Sequence, residues 1–160
     1  MDARNSIGYA HALWQQLQWV AGVLGEMDDG RGIANGMGRV PVAVRPGVQA
    51  IAYAVVRRYG LGQKLVTLLV QRKPSAPTYR YLTMGLALLA QPREQDAPTA
   101  VVQYEPHTLV NQLVEAVRRT PKISSQAHFV NGVLRQFLRD APQLLEQALQ
   151  DSRAQWNHPS

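Results

Sequence analysis

The apolar residues of this chain recur mostly at intervals of three and four, which is the period of one face of an α-helix. Alternation with a period of two, which marks β-strands, is almost absent. Leu13, Leu17 and Val20 begin one such stripe, and Phe129 and Phe137 belong to another. The pattern predicts an all-α bundle of about seven helices, arranged as two three-helix sub-bundles that share a core.

Glycines and prolines indicate where these helices start and stop. Pro46 and Pro142 are expected to open helices, and Gly60 and Gly62 to break one. Residues 27–44 are rich in glycine and are expected to form a loop. The helices are expected at about 7–25, 46–59, 65–69, 78–91, 108–119, 125–137 and from 142 onward.

The composition of the 160 residues is that of a globular chain, with 46% hydrophobic and 18% charged residues. No uninterrupted apolar run reaches the length of a membrane span, and the first twenty residues do not resemble a signal peptide. A cytoplasmic protein is therefore expected. There is no cysteine, which excludes disulfides, thiolate metal sites and cysteine nucleophiles from this chain.

The remaining polar residues give little sign of catalysis. Gly30, Gly32 and Gly36 lack both the spacing of the dinucleotide-binding fingerprint and the strand that should precede it. The four histidines are scattered along the chain, and no paired carboxylates or serine elbow occur. The sequence thus favours a non-catalytic chain that binds neither a metal nor a cofactor.

The positive charge is unevenly placed. The net charge is +6, yet no acidic residue lies between Asp29 and Glu94. Such a one-sided segment attracts polyanions, although it can also be a solvated face that only aids solubility. Tyrosines occur among its basic residues, as in surfaces that bind unpaired RNA bases, but Tyr53 is expected to be half-buried core. The candidate RNA phosphate contacts are Arg39, Arg45, Arg57, Arg58, Lys64, Arg72, Lys73 and Arg80.

One segment resembles a known family. Residues 129–137 read F-V-N-G-V-L-R-Q-F, which is similar to the penultimate helix of the NusB-like fold. The R-Q-F continuation resembles the version found in the ribosomal RNA small-subunit methyltransferase B family. Weaker similarities to the same family occur in order at 54–59, 84–89, 109–117 and 156–160. Within the motif, Asn131 is expected to satisfy polar groups at a helix crossing, and Gly132 to permit close helix approach.

The resemblance implies a function. Members of that family transfer a methyl group from S-adenosylmethionine to carbon 5 of a cytosine in 16S ribosomal RNA, using two cysteines of a downstream domain. Their NusB-like part binds and positions the RNA. Residues 1–160 would thus be the RNA-binding domain, 156–160 would begin the linker, and the partners would be 16S ribosomal RNA and the C-terminal methyltransferase domain. The cofactor and the catalytic cysteines would belong to that absent domain, so this chain alone would not be an enzyme.

Two alternatives stay open at this point. A free-standing NusB-type transcription antitermination factor would bind RNA together with a ribosomal-protein partner. The domain could instead serve chiefly to dock on the methyltransferase domain. In the family the first helix carries arginines, whereas here Gln15, Gln16 and Gln18 occupy it. The RNA contact is therefore expected in the segment without acids.

Overall fold

A computed structural model describes residues 12–91 and 104–157, with side chains up to Asp151. Within these residues the chain is an all-α bundle of seven helices, and no strand is present. The helices are α1 (Leu13–Asp28), α2 (Ile33–Met37), α3 (Arg45–Arg57), α4 (Tyr59–Leu69), α5 (Ala76–Leu89), α6 (Pro106–Arg118) and α7 (Ala127–Asn157). The expected first turns from Ile7, most of the loop between 92 and 106, and residues 158–160 lie outside this part.

Helix α5 forms the centre of the bundle. Its residues 81–88 are all buried, and it packs against α1, α3, α4, α6 and α7. A helix that is surrounded on every side must be apolar around its whole circumference, which the run from Leu82 to Leu88 nearly satisfies. Gly85 permits close packing with α6 and α7, since an added Cβ would lie 3.2 Å from a Leu113 methyl and 3.1 Å from a Leu134 methyl. One continuous hydrophobic cluster results.

The expectation that Gly60 and Gly62 break a helix is wrong. The break lies at Arg58, whose backbone leaves helical geometry, and both glycines lie within α4. A Cβ on Gly62 would lie 2.6 Å from the carbonyl oxygen of Thr83 on α5. Gly62 is therefore needed because α4 and α5 approach each other closely at this point.

The glycine-rich segment 27–44 is only partly a loop. Helix α1 continues to Asp28, and α2 forms inside the segment. Gly30 and Gly32 have φ values of 78° and 82°, so they supply the left-handed turn between the two helices. Gly36 is buried against α1, where an added Cβ would lie 3.0 Å from the Cα of Val23. The glycines thus fold α2 back onto α1.

The last two expected helices are both present, and a kink within α7 separates them. Ser124–Gln126 form a short 3₁₀ turn, after which α7 runs from Ala127 to Asn157 with a kink at Asp140. Pro142 explains the kink, because it cannot donate the backbone hydrogen bond of a continuous helix. Upstream, the Glu105 carboxylate caps α6 by accepting from the backbone N–H groups of His107 and Thr108. These bonds lower the pKa of Glu105.

Most of the expected core positions are buried, including Leu17, Val20 and Phe137. The expectation that Phe129 belongs to the core is wrong, since it is 38% exposed, and Leu149, further along α7, is 49% exposed. Gly132 also does not serve a close helix approach, because an added Cβ would have no neighbour within 4 Å. The hydrophobic stripe of α7 is therefore narrower than the spacing of its apolar residues indicates.

In the described parts of the chain, no helix is long and apolar enough to cross a membrane. The same residues contain no group of three or more histidine, aspartate or glutamate side chains that could hold a metal ion.

Candidate nucleic-acid interface

Three of the eight candidate cations form ion pairs with acids from other parts of the chain. Arg39 Nη1 lies 2.7 Å from Glu26 Oε1, and Lys64 Nζ lies 3.1 Å from Asp151 Oδ2. Arg80 Nη2 lies 3.2 Å from Asp28 Oδ2, over the backbone of α1 at Gly25. The segment without acids is thus partly neutralised once the chain folds. These three side chains are less available to phosphates than their sequence positions indicate.

Arg45 has a mainly structural role. Its Nη2 donates to the carbonyl oxygen of Val40 at 2.9 Å, which fastens the turn before α3. Its buried Nε has no hydrogen-bond acceptor within the part of the chain that the structure describes. A guanidinium held in this way offers only part of its donors to a ligand.

The other four cations have no carboxylate within 4 Å among residues 12–91 and 104–151. They are Arg57 and Arg58 at the end of α3, and Arg72 and Lys73 between α4 and α5. Two of them lie over aromatic rings. Arg57 Cζ is 5.8 Å from the centre of the Tyr53 ring, and Lys73 Nζ is 4.5 Å from that of Tyr79. Tyr53 is 66% exposed, so the expectation that it belongs to the core is wrong.

Tyr59, at the start of α4, is half-buried and lies near Asp28, Tyr79 and Arg80. Its pKa is raised, first by burial and then by the negative charge of Asp28, while Arg80 opposes the rise and Tyr79 adds to it. Asp28 lies on α1, and Tyr79 and Arg80 lie on α5, so charged and polar groups of both helices act on Tyr59. Tyr59 also directly follows Arg58 in the chain. We use the name tyrosine–arginine surface for the four cations without carboxylate partners among the described residues and the tyrosines near them, namely Tyr53, Arg57, Arg58, Tyr59, Arg72, Lys73 and Tyr79.

Gln18 of α1 has a packing role. Gln18 Nε2 donates to the carbonyl oxygen of Ala116 on α6 at 3.2 Å and to the hydroxyl of Thr120, just after α6, at 3.3 Å. The backbone N–H of Trp14 donates to Gln112 Oε1, also on α6. These bonds join α1 to α6 and to the turn that follows it.

Sequence reasoning missed a second polar feature, a groove of about 630 Å³ lined mainly by α6, α7 and the turn between them. In it, Arg135 Nε donates to Asn131 Oδ1 at 2.9 Å, and Arg135 Nη2 donates to Asn111 Oδ1 at 3.4 Å. Asn111 and Arg135 belong to two of the segments that resemble the methyltransferase family. The spacing of Asn131 and Arg135, one helical turn apart, was a usable signal. The contribution of Asn111 gave no such signal, because Asn111 lies on another helix, α6.

A comparison with models of known protein families finds no match, and no curated protein matches this sequence.

Proposed function

We propose that this chain is an RNA-binding domain that positions 16S ribosomal RNA for cytosine-5 methylation by an S-adenosylmethionine-dependent methyltransferase domain not present in the chain. The observation that carries the proposal is the tyrosine–arginine surface. Arg57 and Lys73, which have no carboxylate partner among the described residues, lie over the rings of Tyr53 and Tyr79 there.

The chemistry of this surface suits unpaired RNA. Guanidinium and ammonium groups neutralise backbone phosphates, and binding then weakens as salt concentration rises. Exposed tyrosine rings stack on unpaired bases without regard to sequence. Tyr53 offers such a ring, and the cation above it can contact the adjacent phosphate. A single strand or a loop is therefore a better ligand for this surface than a regular duplex.

The proposed link to methylation depends on the resemblance of residues 129–137 and of the weaker segments to the methyltransferase B family. The catalytic step in that family needs two cysteines, and this chain has none. The proposal accordingly gives this chain the RNA-binding role and gives catalysis to another domain.

The first test reverses the charge of two adjacent cations on the surface. We expect Arg57→Glu combined with Arg58→Glu to lower the affinity for a 16S RNA fragment at least ~10-fold and to reduce the salt slope by about two units, one for each contact. Filter binding at several salt concentrations measures both quantities. Circular dichroism checks folding, because both cations lie at the C-terminal end of α3, where positive charge is favourable.

The control is Arg139→Glu, an exposed cation on α7 without an ion-pair partner among the described side chains. It should leave the slope nearly unchanged. If the double variant retains the original affinity and slope, the interface lies elsewhere. If the unsubstituted chain binds no RNA even at low salt, the domain does not function by binding RNA.

A second test uses the ion pair that holds Arg80. Asp28→Asn removes the carboxylate 3.2 Å from Arg80 Nη2 and makes that guanidinium available beside Tyr59 and Tyr79. We expect the affinity for RNA to rise about fivefold at 0.1 M salt, with a slope steeper by up to about one unit.

Asp29→Asn is the matched control, since Asp29 is an exposed neighbour without an ion-pair partner among the described residues. It makes the same change in net charge without affecting the Arg80 pair. Equal effects of the two substitutions in the filter-binding assay would mean that Arg80 makes no specific contact with RNA.

A further inference from the structure

Arg135 in the groove between α6 and α7 is positioned by neutral groups. Its two hydrogen-bond acceptors are the amide oxygens of Asn131, at 2.9 Å, and Asn111, at 3.4 Å. No carboxylate among the described side chains lies within 4 Å of it. Amide acceptors orient a guanidinium without neutralising it, so Arg135 keeps its full charge in a fixed position.

The groove offers mainly hydrogen-bond donors. A guanidinium has five N–H groups, and these two bonds use only two of them. Asn111 and Asn131 accept through their oxygens, which leaves their NH₂ groups without an acceptor among the described residues. The hydroxyl of Ser125 and the ring of His128 line the same groove. Such a set suits a ligand that supplies several acceptor oxygens and negative charge.

Glu115, whose carboxylate lines the groove, repels a bound anion only weakly. Glu115 is bound by Arg119 Nε at 2.6 Å and by Arg118 Nη1 at 2.7 Å. These hydrogen bonds lower the pKa of Glu115, the bond from Arg119 being the main cause. Two arginines thus neutralise one acid, and the groove retains the positive charge of Arg135.

We infer that this groove binds a phosphate group anchored by Arg135, and that the phosphate belongs to the backbone of the bound RNA. The second part rests on the proposed function. A phosphate presents two or more acceptor oxygens to the remaining N–H groups of the guanidinium, and the side-chain amides of Asn111 and Asn131 adjoin that guanidinium. The groove is distinct from the tyrosine–arginine surface, so it provides a second point of contact that fixes how the RNA lies on the domain.

The phosphate site is tested on the full chain with inorganic phosphate as the probe. Phosphate replaces chloride at constant ionic strength, while NMR follows the side-chain NH₂ signals of Asn111 and Asn131. We expect these signals to shift, and the shift to be lost in Arg135→Gln and retained in Arg139→Gln. Asn111→Asp should also abolish phosphate binding, because a carboxylate there would neutralise Arg135, whereas Gln143→Glu on an exposed position of α7 should not.

The RNA part is tested by filter binding with a single-stranded 16S fragment. We expect Arg135→Gln to reduce affinity by about five- to tenfold at 0.1 M salt and the slope by about one unit, and Arg139→Gln to change neither. If RNA binds but these two variants are indistinguishable, the groove does not contact RNA. If the amide signals do not respond to phosphate, or respond equally in Arg135→Gln, there is no phosphate site. Phosphate binding without any RNA binding would refute the proposed function while retaining the groove.

Discussion

Replacing Gly62 by alanine is expected to destabilise the bundle by about 1–3 kcal/mol, the usual range for overpacking. The new Cβ would lie 2.6 Å from the Thr83 carbonyl oxygen and 3.3 Å from the Ala87 methyl group, so α4 and α5 would have to separate. Both contacts lie on the central helix α5, and the nearer one is a backbone atom, which leaves little room to adjust. Urea unfolding followed by circular dichroism measures the change in free energy.

Gly60→Ala is the matched control, two residues earlier in the same helix. An added Cβ there has no neighbour within 4 Å, and Gly60 is exposed. Alanine costs less conformational entropy than glycine in a helix, so this variant is expected to be more stable by about 0.5–1 kcal/mol. Opposite signs for the two substitutions are the expected result. Equal stabilisation by both would show that α4 and α5 do not cross closely at Gly62.

These two glycines also show what the sequence can predict. Most of the longer helices follow from apolar spacing, which is a local property, and the all-α class is confirmed. Helix α2, inside the segment expected to be a loop, does not. The sequence does not distinguish a glycine that ends a helix from one that permits a crossing, because the difference lies in Thr83 on another helix. Phe129 has the correct spacing for the core but lies at the edge of the stripe, where its side chain is partly exposed.

The candidate site shows the same difference between what is local in the sequence and what depends on contacts between helices. The absence of acids between Asp29 and Glu94 is a property of the chain, whereas the field at a surface depends on distance in space. Glu26, just before that segment, pairs with two of its cations, while Asp28 and the distant Asp151 pair with one each. Such pairs form only when α1 and α7 pack against the rest of the bundle, so the sequence alone does not predict them. Of the eight candidate contacts, the structure therefore favours those without acidic partners.

That preference leads to the prediction with the largest effect on binding. We expect the triple substitution Arg57→Gln, Arg72→Gln and Lys73→Gln to reduce the salt slope for single-stranded RNA by about two units and the affinity by about 100-fold at 0.1 M salt. Each of these side chains lacks a carboxylate within 4 Å among the described residues and is exposed. Each is therefore free to exchange its counterions for a phosphate.

The matched variant removes the same charge from paired positions, through Arg39→Gln, Lys64→Gln and Arg80→Gln. These cations already neutralise Glu26, Asp151 and Asp28, and removing them leaves Asp28 and Asp151 without those partners. We expect lower stability in urea but a change in salt slope of less than about one unit. Filter binding across a salt series compares the two triples directly. Equal losses would mean that net charge, and not the tyrosine–arginine surface, drives RNA binding, because only the arrangement of the charges distinguishes the two proteins.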